Sequence, residues 1–124
     1  MKKLLFSLGI LLLISCKNEN QENFIKSNTN AIPDKVSGKE LFENKGNCIA
    51  CHQTEQKVIG PSLSEIASTY KAKNRSIVLF LKEESEPIID PSQYDIMKAN
   101  FAITKNMSDD ELKAIEDYIY TFSK

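Results

Sequence analysis

The chain has 124 residues, 16 Lys and Arg against 17 Asp and Glu, a formal charge of −1 and a 41% hydrophobic content. That length supports one small domain, and so nearly neutral a chain without a basic stripe is a poor match for nucleic acid. Its three cysteines and single histidine carry most of its potential for metal or thiol chemistry.

The first element is Met1-Lys2-Lys3 followed by the apolar stretch Leu4 to Ser15 and then Cys16. A charged start, a short greasy segment and a small residue read as a secretory signal over residues 1–15. An apolar run of about 12 residues falls short of the roughly 20 that cross a bilayer as a helix. Leu13-Ile14-Ser15-Cys16 resembles a bacterial lipobox. That resemblance implies a diacylglyceryl thioether on Cys16, which becomes the new N-terminus, and places the protein in the cell envelope, lipid-anchored and facing the periplasm or exterior. An ordinary signal peptide with a chance cysteine is the alternative. Removal of residues 1–15 takes away Lys2 and Lys3 and moves the formal charge from −1 to −3.

Residues 16–36 hold the cysteine and a run of Asn, Glu, Gln, Lys, Ser and Thr. Such a segment buries too little to offset its ordering entropy, so a flexible tether with a reach of roughly 25 Å is expected. Residues 37–124 form the folded domain. A core of that size is marginal unless something else fills it.

Helices are expected throughout that domain. Ser37 and Glu40 have the spacing of a capping box, with Val36 and Leu41 as a hydrophobic staple, so a helix starts at Ser37. Short helices follow over Ser62 to about Tyr70 and Asn74 to about Lys82, with punctuation at Gly60-Pro61, Pro87 and Asp90-Pro91. The stretch between Pro91 and Ser108 reads as a linker. Ser108 and Glu111 then repeat the box and Met107 and Leu112 the staple, while Leu112, Ile115, Tyr118, Ile119 and Phe122 share one face. No segment shows sustained strand alternation.

Between the first two helices lies Cys48-Ile49-Ala50-Cys51-His52. A thioredoxin-like dithiol would use a CxxC pair, but that fold needs strands around the motif. Structural zinc wants four ligands, and the domain supplies only these three of Cys and His. The third reading is a covalently attached haem c, for which CxxCH is the attachment motif. One helical turn presents two sulfurs to the two vinyl groups on a porphyrin edge and sets the adjoining histidine under the iron.

The motif, followed by Gly60-Pro61-Ser62-Leu63, resembles that of a class I monohaem cytochrome c, a resemblance covering Gly38 to Lys124. It implies an all-α fold of about four to five short helices around one haem, with Gly38 and Phe42 on the first helix crossing Ile115 and Tyr118 on the last. Class II members carry the motif near the C-terminus. The resemblance further implies that His52 is the proximal iron ligand and that the Pro61 carbonyl fixes its ring.

For the sixth ligand a methionine is the natural donor, and the mature chain has only Met97 and Met107. Met107 already has work as a staple, whereas Met97 has no other evident task. Met97 is therefore preferred, although Lys98 follows it where many relatives have proline. Met107, a lysine or an open position are the alternatives, and core filling is the ordinary role of any methionine. His/Met iron leaves no vacant position, so the expected function is single-electron transfer between redox partner proteins, with no catalytic residues. Burial of the haem among Leu63, Ile66, Phe80 and Leu81 would favour the ferrous state. A gas or redox sensor, or a weak peroxidase, would instead need a labile sixth ligand, and a non-haem thiol protein would lack haem altogether. The cluster Lys71, Lys73 and Arg75 reads as a solvated helix turn.

Overall fold

The computed structural model describes residues 36–124. The expected signal peptide, the Cys16 lipid site and the tether up to residue 35 lie outside the described residues. Among the described residues there are five α-helices and no strand.

Helix α1 (Gly38–Glu40) starts where Ser37 accepts a bond from the Glu40 amide at 3.2 Å. The reciprocal bond of the expected box does not form, and Val36 remains 44% exposed, so the staple does not close. The helix continues as a wide π turn over Leu41–Lys45, ended by the Gly46 amide bonding the Leu41 carbonyl at 2.7 Å. Helix α2 (Leu63–Ala72) is capped by Ser62 and outruns its expected end. It stops at Asn74, whose φ of 48° is a left-handed value that Asn tolerates and a helix excludes. For the same reason α3 is shorter than expected, Ile77–Leu81, with Ser76 as its cap.

The linker expected between Pro91 and Ser108 is instead a 3-10 turn, Pro91–Gln93, leading into helix α4 (Tyr94–Thr104). Gln93 supplies no side-chain cap, and the usual start signal is therefore missing from the sequence. Helix α5 (Asp109–Tyr120) carries the complete box at Ser108 and Glu111, and here the staple pair Met107 and Leu112 is buried.

Helix α5 packs against α1, α2 and α3. Leu112, Ile115 and Ile119 are buried on its inner face, and each such side chain contributes about 1.5–3 kcal/mol on leaving water. The crossing with α1 is close. A Cβ on Gly38 would stand 1.9 Å from the Ala114 carbonyl oxygen and 2.9 Å from Tyr118 Cβ, so only glycine fits. The Phe42 and Tyr118 rings meet at 5.6 Å.

Two buried polar side chains brace the short α3. Glu116 of α5 accepts bonds from the Ile77 amide at 2.7 Å, the Val78 amide at 3.2 Å and Ser76 Oγ at 3.2 Å. At the other end, Thr104 Oγ1 of α4 donates to the Leu81 carbonyl at 2.7 Å. These bonds satisfy backbone groups that a five-residue helix leaves unpaired.

Candidate functional site

Asn47, at a left-handed φ of 49°, turns the chain into a 3-10 turn over Cys48–Ala50. The Cys51 and His52 amides both bond the Cys48 carbonyl, at 3.1 and 3.0 Å. This single tight turn brings Cys48, Cys51 and His52 to one apolar cavity of about 380 Å³, a volume within the range of ligand pockets.

The imidazole is fixed from two directions. Its Nδ1 lies 2.8 Å from the Pro61 carbonyl oxygen, which can only accept, so Nδ1 carries the proton and Nε2 keeps its lone pair for a metal. Gly60 lies against the ring face, where a Cβ would stand 2.4 Å from Cε1. Burial holds the His52 pKa below its ordinary value, against the opposing effect of the Pro61 bond, and favours the neutral, ligating form.

Both cysteines are free. Burial pushes the Cys48 thiol up to about 11, only partly offset by its own backbone amide and by the Asn100 side chain. A redox dithiol requires the opposite, a thiol lowered toward neutrality. Nor do three His, Cys, Asp or Glu side chains converge as a metal cage among the described residues, as a zinc site would require.

Met97, half-buried on α4, borders the same cavity, and Met107 does not. Met107 is instead buried in the core with Leu41 and Leu112. Of the four residues expected to surround the group, Ile66, Phe80 and Leu81 line the cavity, whereas Leu63 is buried in the core outside the wall. Asn100, one turn beyond Met97, also reaches the wall, as do Tyr70 and Asp90. These were not evident from the sequence, because the helical spacing of Met97 and Asn100 has meaning only once α4 is known to be a helix. The wall contains no lysine or arginine; its one side chain ionised at neutral pH is Asp90.

Two thiols, a neutral imidazole, a thioether and an apolar wall form a donor set suited to a c-type haem. Residues 36–123 match the family model described as cytochrome c. The chain belongs to the cytochrome c family. It is 38% identical to cytochrome c-552 of Nitrosomonas europaea over 80 residues, covering 62% of this chain and 71% of that protein. Similarity to cytochrome c-551 of Pseudomonas denitrificans is 37% identity over 41 residues, 33% of this chain and 49% of that protein. As a class I monohaem cytochrome c, the protein binds a covalent c-type haem and is an electron carrier. No helix among the described residues is long and apolar enough to cross a membrane.

Proposed function

We propose that this cytochrome c is an extracytoplasmic one-electron carrier in which Cys48 and Cys51 form the thioethers and His52 and Met97 are the axial ligands. The observation that supports this most is the sharing of one cavity by His52 and Met97 while Met107 is committed to the core. The bound haem supplies the ferric–ferrous couple. The Pro61 carbonyl and Gly60 keep the imidazole in one tautomer and one orientation, so little has to rearrange when an electron arrives. The apolar wall excludes water and disfavours the more highly charged ferric state, and a thioether ligand acts in the same direction; both raise the potential. Were His52 and Met97 both to hold the iron, the chain would leave no position on it for a substrate. Its partners are redox proteins that donate and accept the electron. The lipobox-like run ending at Cys16 supports a lipid anchor in the cell envelope.

The test is the pair Met97→Ala and Met107→Leu in the haem-loaded protein. Met97→Ala should remove the weak long-wavelength sulfur-to-iron absorption of the ferric form, lower the potential and open the ferrous iron to carbon monoxide. Met107→Leu should leave all three nearly unchanged, because leucine conserves the buried contact. Loss of the band in the Met107 variant alone would reverse the assignment. Rapid carbon monoxide binding by the unmodified protein would instead favour a sensor or peroxidase.

A further inference from the structure

The Lys57 ammonium pairs with the Asp90 carboxylate. Lys57 lies in the loop that closes on His52: it forms a β-bridge to His52, and the Gly60 amide returns to the Cys51 carbonyl at 2.9 Å. Asp90 belongs to the strap that leads through Pro91–Gln93 into α4 and Met97. The pair therefore joins the histidine side of the cavity to the methionine side.

Beyond the packing of Ile88 and Ile89 against the core, few polar contacts hold the strap. Among the described residues, 85–89 donate no bond to another backbone group, and the polar attachment of this stretch is Lys73 Nζ to the Ile88 carbonyl at 3.4 Å. Helix α4 itself is fastened to α3, through the Phe80, Tyr94 and Phe101 rings, with centroids 5.5–6.1 Å apart, and through Thr104. Toward the motif it has the Asn100 amide beside Cys48, an approach that a thioether at Cys48 alters. The Asp90 carboxylate is oriented for its task. One oxygen accepts from Ser92 Oγ at 2.6 Å, the other meets Lys57, and its side chain is only 21% exposed.

We propose that the Lys57–Asp90 pair is a clasp between the two limbs of the cavity and acts as a positioning pair for Met97, setting how often its sulfur leaves the iron. This rests on the assignment of Met97 as the sixth ligand. Lys57 is 53% exposed, so the clasp is a weak one that salt loosens. The effect expected of such a pair is about threefold to fivefold in an opening equilibrium.

The experiment is displacement of the sixth ligand by imidazole in the ferric haem-loaded protein, followed by stopped flow at saturating imidazole, where limb opening limits the rate. Between about 10 mM and about 1 M salt the Debye length falls from roughly 30 to 3 Å. Over that range the unmodified protein should accelerate about threefold. Lys57→Gln and Asp90→Asn should already be about threefold fast at low salt and insensitive to further salt. The double variant should be no faster than either single one, and Lys57→Arg should restore the slow, salt-sensitive rate. Met97→Ala, measured alongside, must lose the sulfur-to-iron absorption. If it keeps that band, the ligand assignment fails. If it loses the band while Lys57→Gln and Asp90→Asn open at the unmodified rate, or while the double variant is additive, the clasp alone is overturned.

Discussion

From Asn47 to Pro61 the chain is held largely by its own backbone. The motif turn closes on the Cys48 carbonyl, Gly60 returns to Cys51, and the Leu63 amide reaches back to the Gln53 carbonyl at 2.9 Å. From Pro87 to Thr104, by contrast, the attachments outside α4's own helix run through side chains: Ile88, Ile89 and Met97 pack on the core, Lys57 pairs with Asp90, Lys73 reaches the Ile88 carbonyl, the Phe80 ring meets Phe101, and Thr104 bonds Leu81. The first limb is a preorganised cradle for the imidazole. The second is a helix hinged on α3 that depends on what lies in the cavity. Under the proposed His52 and Met97 ligation a carrier gains from the combination, because one ligand would be fixed by local geometry while the other would be brought over by folding of the whole domain.

The strongest way to test that contrast is to remove the group on which both limbs converge. Cys48→Ala with Cys51→Ala should abolish covalent haem on a denaturing gel. It should also unfold most of the domain, since a core this small is marginal without its cofactor. Hydrogen exchange on any residual structure should show α4 exchanging first and α5 last, because among the described residues α5 packs on three other helices. A compact apo variant with α4 protected would refute the dependence.

Gly60→Ala attacks the cradle itself. The added Cβ has no room beside the imidazole, so the ring or the loop must shift, at a cost of about 1–3 kcal/mol. Thermal unfolding and the ferric ligand-field spectrum should both change. An unaltered spectrum would show that the loop yields and the histidine does not depend on it.

The contrast also explains what was legible in the sequence. The first limb is dense in local signals: CxxCH, Gly60-Pro61 and the Ser62 cap all lie within a few residues of their partners, and each has one evident physical use. The complete box at Ser108 made α5 equally plain. Helix α4 was missed because it has no capping side chain and buries only Phe101 and Thr104, while Met97, Asn100 and Ile103 line the cavity and leave no continuous apolar stripe against a neighbouring helix. The braces at Glu116 and Thr104 were invisible for a different reason. A buried carboxylate in α5 that bonds the first turn of α3 is separated from it by about 39 positions, and no periodicity reports such a pairing.

Thr104→Val tests whether α4 is indeed hinged on α3. Valine keeps the volume but leaves the buried Leu81 carbonyl without its donor, which costs about 1–3 kcal/mol. Urea unfolding should register the loss, and α4 amides should exchange faster while those of the motif limb do not. Equal acceleration in both limbs would mean that they do not open separately.

The smallest expected effect lies at the hinge between α3 and α4. Glu83 follows the end of α3 at a φ of 58°, where the Glu84 amide bonds back to the Leu79 carbonyl at 2.8 Å. This is a helix stop that normally takes glycine, and a residue with a Cβ pays roughly 1 kcal/mol to adopt it. What glutamate offers in return is an ion pair with Lys105 at the end of α4, worth up to about 1 kcal/mol at an exposed site. Glu83→Ala loses the pair and keeps the strain, so it should be destabilised. Glu83→Gly loses the pair and relieves the strain, so it should lie close to the unmodified protein and about 1 kcal/mol above the alanine variant in denaturant unfolding. If the hinge is set by backbone geometry, the glycine variant should also retain the unmodified imidazole displacement rate. If the Lys105 pair sets it, both variants should open faster by the same factor.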